Sequence, residues 1–278
     1  FGCPNREGSR AQPGCLFFDP GGSGAVGIER ALPVGQQVEQ GKEVMTRKYK
    51  AKQFIAYFQP FSNTFAPVPE LRKLYDEALT VDGVVGLAVG TRPDCLEEPV
   101  LDLLAEFDRR TYFRLEIGLQ STHDSTLDLI RRGHDYQVFL DAYAAARARG
   151  LKVCVNLIIG LAREGREQVL ATADEMARLK VAGIKIHLLH ILDNTELGGM
   201  YRRGEVDILG QDEYVSLVAD FIERLHPDTL IHRLTGDGPR HSLLAPLWSL
   251  NKWEVLNAID DELEKRNSRQ GSLCRFTA

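Results

Sequence analysis

From residue 54 onward, short apolar or β-branched runs alternate with amphipathic helical stretches, six times in succession. Parallel strands need a crossover connection, usually a helix, and a repeat of roughly 30–40 residues is the size of one such unit. The runs are Phe54–Phe58, Val84–Val89, Tyr112–Leu119, Val153–Ile159, Ile184–Leu192 and Thr229–Leu234. Helices are expected over Pro69–Leu79, Glu97–Arg109, Glu167–Leu179 and Asp212–Leu225, with a long helical region Ser125–Arg149 broken near Gly133. Val153–Ile159 is almost unbroken in hydrophobicity, as a strand covered on both faces should be. No Gly-rich dinucleotide fingerprint or phosphate-binding loop is present, so an α/β partial (β/α) barrel is expected in preference to an open nucleotide-binding sheet. The barrel is placed at 1–235. The stretch 236–278, with a charged helix over Trp253–Arg266, is expected to cap it. The first 45 residues, which include Gly21-Gly22-Ser23-Gly24, read as loop.

Composition narrows the class. The chain has 278 residues, 44% hydrophobic and 26% charged, which suits an ordinary globular protein with a sizeable core. A net charge of −5 offers no global attraction for phosphate, so nucleic acid would need a local patch. No run is long enough to span a bilayer and no signal peptide opens the chain, so a cytoplasmic protein without membrane partners is expected. The five cysteines, Cys3, Cys15, Cys95, Cys154 and Cys274, are odd in number and widely spaced, against a disulfide framework. Cys154 reads as a small buried hydrophobe. Cys3 and Cys15 share a loop rich in Gly, Pro and Arg.

Working residues of a (β/α) barrel gather at the C-terminal ends of the strands. That rim is expected to hold Gln59, then Thr91, Arg92 and Asp94, then Glu116, Gln120 and Ser121, then Asn156 and Gly160, then His187 and His190, and finally Arg233 and Asp237. Polar groups inside apolar strands are costly without partners, and Glu116 and Asn156 are the clearest cases. They either satisfy each other in the interior or line a pocket; the number of polar groups converging on one rim favours the pocket. His187 and His190, three apart on one strand, should point to opposite faces and so should not share a metal ion. The basic stretch Arg47-Lys48-Tyr49-Lys50-Ala51-Lys52 reads first as a solvated loop and second as a grip on a phosphate backbone.

These residues also resemble a known family. The run Cys3-Pro4-Asn5-Arg6-Glu7-Gly8 followed by Cys15 resembles the cluster loop of YhcC/YtqA-like radical S-adenosylmethionine (SAM) proteins, relatives of the catalytic subunit of Elongator. The resemblance continues through Tyr57-Phe58-Gln59, Gly90-Thr91-Arg92-Pro93-Asp94-Cys95, Glu116-Ile117-Gly118-Leu119-Gln120-Ser121, Arg132-Gly133-His134-Asp135, Asn156 to Leu161, His187 to His190, Leu244 to Trp248 and Gln270-Gly271-Ser272. Order and spacing together make it specific. It implies an enzyme in which three thiolates hold a 4Fe–4S cluster whose open iron binds SAM, and whose electron cleaves SAM to a 5′-deoxyadenosyl radical. It implies metal ligation by Cys3 and Cys15. It also implies that Gln120 and Asn156 hold the SAM ribose and that Arg132 holds the methionine carboxylate. Gln59 and Thr91 should approach the methionine end or the substrate, Glu116 should be a second SAM ligand, and Gly160 should let backbone approach the adenine. The partners implied are tRNA, through maturation of the wobble uridine, and an electron donor such as flavodoxin or ferredoxin.

Two features depart from the family. Cys15-Leu16-Phe17-Phe18 stands where the family has Cys-x-x-Cys, so Phe18 occupies the third ligand position and cannot ligate iron. Asp19 next door offers only a carboxylate, a poor match to a thiolate cluster. The chain also begins almost at Cys3, so the barrel is expected to lack its first strand. Three functions follow: a radical SAM enzyme acting on tRNA, a radical SAM enzyme acting on a small metabolite or protein, and a barrel that has lost catalysis and serves in binding or regulation.

Overall fold

A computed structural model describes residues 1–6, 14–18, 28–29, 31–236 and 238–276. In chain order the elements are α1 (Val34–Tyr49), β1 (Phe54–Phe58), α2 (Val68–Leu79), β2 (Val84–Thr91), α3 (Glu98–Arg110), β3 (Tyr112–Gln120), α4 (Asp124–Leu129), α5 (Tyr136–Ala148), β4 (Val153–Ile159), α6 (Arg166–Arg178), β5 (Gly183–Leu188), β6 (Ile191–Leu192), α7 (Glu196–Arg202), α8 (Gln211–Arg224), β7 (Leu230–Arg233), β8 (Leu243–Ala245) and α9 (Lys252–Lys265). Six strands share one sheet in the order β1-β2-β3-β4-β5-β7. The pairings β1–β2, β2–β3, β4–β5 and β5–β7 are parallel, each reached through a helical crossover. This is the succession of a partial (β/α) barrel, as expected. The chain divides into two compact units, Phe1–Ala11 with Gly21–Gly118 and Val138–Val153, and Gln12–Pro20 with Leu119–Gln137 and Cys154–Ala278.

In the first unit the core is aromatic. Leu71, Tyr75 and Ala78 form the buried face of α2, at the 3–4 spacing that one helical stripe requires. Tyr75 meets Phe58 edge-on at 5.1 Å and Phe107 of α3 at 5.5 Å, and its hydroxyl donates to the Asn63 carbonyl at 2.5 Å. Each such buried side chain contributes roughly 1.5–3 kcal/mol. Gly86 lets β2 and β3 approach: a Cβ there would lie 2.4 Å from the Tyr112 carbonyl oxygen. The helix α1 corrects the loop expected over the first 45 residues. None of its described residues is buried: Val34, Val38, Met45 and Tyr49 recur at helical spacing, but Gly35, Gly41 and the surrounding polar residues thin that stripe. It is held instead by polar contact, Gly35 N–H donating to Glu77 Oε1 at 2.8 Å.

In the second unit, Val169, Ala173 and Met176 of α6 and Tyr214, Leu217 and Phe221 of α8 are buried. The expected run Ile184–Leu192 is two elements. β5 stops at Leu188, and β6 pairs antiparallel with β8. The last helix, α9, is fastened to α8 by Arg266, whose guanidinium reaches Asp220 at 2.8 Å and Ser216 Oγ at 3.0 Å. No helix among the described residues is long and apolar enough to cross a membrane.

Candidate functional site

In the first unit, the loops after β1 and β2 are bonded to each other and to the start of the chain. Asn63 Nδ2 donates to the carbonyls of Phe58 (3.0 Å) and Gly90 (2.8 Å). Ser62 N–H donates to the Gly2 carbonyl at 3.1 Å, which fixes the residue before Cys3, and Arg6 N–H closes a turn on the Cys3 carbonyl at 2.9 Å. Gln59, half-buried, follows β1. Thr91 is buried, with its hydroxyl 2.6 Å from that of Thr64. Thr64 spends its one proton on the Cys95 carbonyl (2.6 Å), so Thr91 is the donor in the threonine pair. Arg92 and Asp94 form a buried two-pronged ion pair at 2.9 and 3.0 Å. Cys95 is buried beside Asp94, and burial pushes its thiol up to about 12.

Glu116 of β3 is fully buried. Tyr57 Oη donates to its Oε2 at 2.6 Å, and Arg114 donates to its Oε1 through Nε at 2.9 Å and Nη2 at 2.8 Å. Register explains the reach: Tyr57 pairs with Ala88 and Glu116 pairs with Gly90, small residues that leave room for a tyrosine to cross β2. Both oxygens of the carboxylate expected to touch SAM are therefore engaged by side chains of this unit.

In the second unit, Cys15 lies on a short turn in which Phe18 N–H donates to the Cys15 carbonyl at 3.2 Å. Leu16 anchors the turn. Its N–H donates to the Ile130 carbonyl (3.2 Å), its carbonyl accepts from Leu197 N–H (3.1 Å), and its side chain packs with Ile158, Leu161 and Leu189. Arg132, nearly buried, directs Nη1 to Cys15 Sγ at 3.7 Å. The left-handed turn at Arg131 (φ 54°) and Gly133 (φ 76°) that ends α4 puts it there. Contact between residues 117 apart is invisible to local sequence reading. Asn156, mid-strand in β4, has a buried Oδ1 with no hydrogen-bond partner. Gly160 has φ +93°, a conformation that favours glycine, and a Cβ there would lie 3.2 Å from Leu209.

Gln120 closes β3 at φ +81°, in the left-handed region. The next residue, Ser121, donates a short hydrogen bond to Glu164, a partner the sequence did not single out, and accepts from His123 N–H at 3.0 Å. Burial raises the Glu164 carboxyl above its ordinary value, against the bond from Ser121. A raised acid stabilises the fold fully below its unfolded pKa of roughly 4.3, and that contribution is lost as pH rises through the folded value. Stability of wild type is therefore expected to fall over this window more than that of Glu164→Gln, in urea melts at stepped pH.

His187 and His190 require a correction. The expected opposition assumed one strand, but β5 ends at Leu188 and His190 lies beyond it. Both rings flank Gly236, whose Cβ position is 3.6 Å from His187 Nδ1 and 3.4 Å from His190 Cε1. Glu7, Gly8, Asp19, the Gly21–Gly24 stretch and Asp237 lie outside the described residues.

The profile of the radical SAM superfamily matches residues 15–176, and that of the Radical_SAM C-terminal domain matches 181–265. The chain belongs to the radical SAM superfamily. Among relatives, it is 45% identical to YtqA of Bacillus subtilis over 98% of this chain and 84% of that protein. It is 37% identical to YhcC of Escherichia coli K12 over 99% and 88%. The fold matches Elp3 of the archaeon Methanocaldococcus infernus with a TM-score of 0.72 at 17% identity, over 86% of this chain and 60% of that one.

A radical SAM site needs hydrogen-bonding groups for the nucleoside and the methionine end, and three thiolates for the cluster. The first requirement is met: the orphaned Asn156 Oδ1 suits a ribose hydroxyl, and the Arg132 guanidinium beside Cys15 suits a carboxylate. The second is not met. The Cys15 turn is built, but its third position carries a phenyl ring. Among the described residues no group of three His, Cys, Asp or Glu side chains could hold a metal ion.

Proposed function

We propose that this fold serves reductive SAM cleavage at a 4Fe–4S cluster, generating a 5′-deoxyadenosyl radical, with tRNA as substrate in wobble-uridine modification. In this chain Phe18 is the residue that withholds the third ligand. The observation that carries the SAM reading is the Arg132–Cys15 contact, which brings an expected SAM-binding cation against an expected cluster ligand. Asn156 would hold the ribose and Arg132 the carboxylate, both shielded from bulk water by burial of their polar atoms. Support for RNA comes from α1: Arg47 and Lys48 in its last turn, then Lys50 and Lys52, are exposed around Tyr49, itself 62% exposed with Lys48 Nζ 5.0 Å from its ring centroid. Cations beside an open aromatic ring suit a phosphate backbone with a base to stack. A flavodoxin or ferredoxin would supply the electron.

Reconstituted Phe18→Cys protein is expected to release methionine and 5′-deoxyadenosine from SAM under reductant, and Asn156→Leu in that background should slow release by roughly tenfold, the loss of one good hydrogen bond. Absence of any cleavage would reject the reading. For the RNA part, filter binding of tRNA should weaken steeply with salt, and Arg47→Gln/Lys48→Gln/Lys50→Gln should flatten that slope by roughly 2–3. Binding that ignores salt would return the substrate to a small metabolite or protein. Phe18 itself favours a second reading, a barrel retired from catalysis that still binds a ligand.

A further inference from the structure

The residues that follow β3 are fastened, side chain by side chain, to the entry and first turns of α6. Ser121 Oγ donates to Glu164, the Thr122 and Thr172 hydroxyls lie 2.7 Å apart, and His123 Nε2 stands 3.0 Å from the Gln168 carbonyl. Three consecutive residues are therefore locked onto one stretch of chain. Ser121 is 1% exposed, and its oxygen also accepts from His123 N–H, so its hydroxyl is engaged both as donor and as acceptor.

Gln120 stands immediately before this lock, with φ +81°. A residue with a side chain populates that region sparsely, and it persists there where its surroundings over-determine the backbone. The lock supplies that determination, and its bond closest to Gln120 in the chain is the one from Ser121 to Glu164. The Glu164 carboxyl is half-buried, with the Thr126 hydroxyl and the His123 ring also facing it, and burial holds it above its ordinary pKa. Gln120 and Glu164 line one small cavity together with Ile158 and Thr172. Ile158 in turn packs in one core with Leu16, so the wall of this cavity and the Cys15 turn share a support.

We propose that Glu164 is a positioning residue for SAM: by holding Ser121 it keeps Gln120 in its left-handed conformation and so aims the Gln120 amide at the ribose. The inference rests on the reading that Gln120 contacts SAM, and it adds the group that sets the direction of that contact.

Two measurements test it. The first uses the chain as it stands, without cluster or ligand. Exchange of the His123 amide, whose acceptor is Ser121 Oγ, is followed by NMR. It should speed up by about tenfold in Glu164→Ala and stay near the wild-type rate in Glu164→Gln, whose amide oxygen still accepts from Ser121. Exchange across α9 should not change, which marks the effect as local. Ser121→Ala removes the same bond from its other end and serves where Glu164→Ala fails to fold. The second measurement titrates SAM against the EPR signal of reduced, reconstituted Phe18→Cys protein. Adding Glu164→Ala should raise the SAM concentration required by roughly three- to tenfold at unchanged iron content, the worth of one hydrogen bond, and Glu164→Gln should restore the parent value. Once Gln120→Ala has removed the amide, Glu164→Ala should cost nothing further; a residue giving only general support would lower affinity equally in both backgrounds. The inference is overturned where His123 exchange in Glu164→Ala and Ser121→Ala matches wild type, where Glu164→Ala binds SAM as its parent does, or where its loss adds in full to that of Gln120→Ala. A Phe18→Cys protein that loads no cluster, or whose cluster ignores SAM, removes the underlying reading and this inference with it, a failure visible before any Glu164 variant is made.

Discussion

Anaerobic reconstitution of this chain is expected to leave less than one iron per protein in stable form, whereas Phe18→Cys should carry about four, with matching sulfide, after the same treatment and gel filtration. The backbone argument is that the turn is already made. Leu16 is tied at both its N–H and its carbonyl, Phe18 N–H closes on Cys15, and the side chain of Leu16 is 6% exposed in an apolar core. Replacing phenyl by thiol at Phe18 therefore asks for no new fold, only a shorter side chain at a half-buried site. Two thiolates leave two of the four irons without protein ligands, and such a cluster is lost to competing thiols. Phe18→Ser, equally small and polar but a poor soft ligand, should behave as wild type. Four irons in wild type would show that another group completes the site. No gain in Phe18→Cys would show that the loop does not present its third position to a cluster.

The largest expected loss of stability comes from Glu116. The carboxylate is fully buried and bonds two residues, Tyr57 of β1 and Arg114 of its own strand, so it ties the edge of the sheet to its third strand. In Glu116→Leu the phenol loses its acceptor and the guanidinium its counter-charge. Breaking a buried pair costs roughly 3–5 kcal/mol, and because the Arg114 side chain is still 19% exposed and can reach water, a value near ~3 kcal/mol is expected. For a chain of this size that lowers Tm by roughly 6–12 °C. Tyr57→Phe removes one donor and should cost about 1 kcal/mol. Calorimetry on both variants checks the order; a Glu116→Leu protein as stable as wild type would mean that the network is worth no more than its hydrophobic replacement.

What could be read beforehand follows from which forces are local. The strands at Phe54–Phe58 and Val153–Ile159 emerge with their expected bounds because runs of aromatic, β-branched and apolar residues favour extended chain by themselves, whether the strand is largely exposed, as β1 is, or buried, as β4 is. Helix α1 escaped because its apolar stripe, Val34, Val38, Met45 and Tyr49, is thinned by Gly35 and Gly41 and buries no residue fully. His190 was assigned to the wrong geometry because a short apolar run does not reveal that β5 stops at Leu188 and that β6 turns to meet β8. At the site, residue types were legible but partnerships were not. Glu116 and Asn156 both stood out as polar groups in apolar strands, yet one is doubly bonded and the other has an orphaned oxygen. Glu164 and the Arg132–Cys15 contact depend on tertiary placement alone.

The central proposal is that Arg132 and Asn156 bind SAM beside the Cys15 turn, and that Phe18 withholds a cluster thiolate from that turn. The EPR spectrum of reduced, reconstituted Phe18→Cys protein, recorded with and without SAM, tests it most directly. SAM should shift the cluster signal in Phe18→Cys and leave it unmoved when Asn156→Leu and Arg132→Met are added. A fully loaded Phe18→Cys cluster whose spectrum ignores SAM would contradict it.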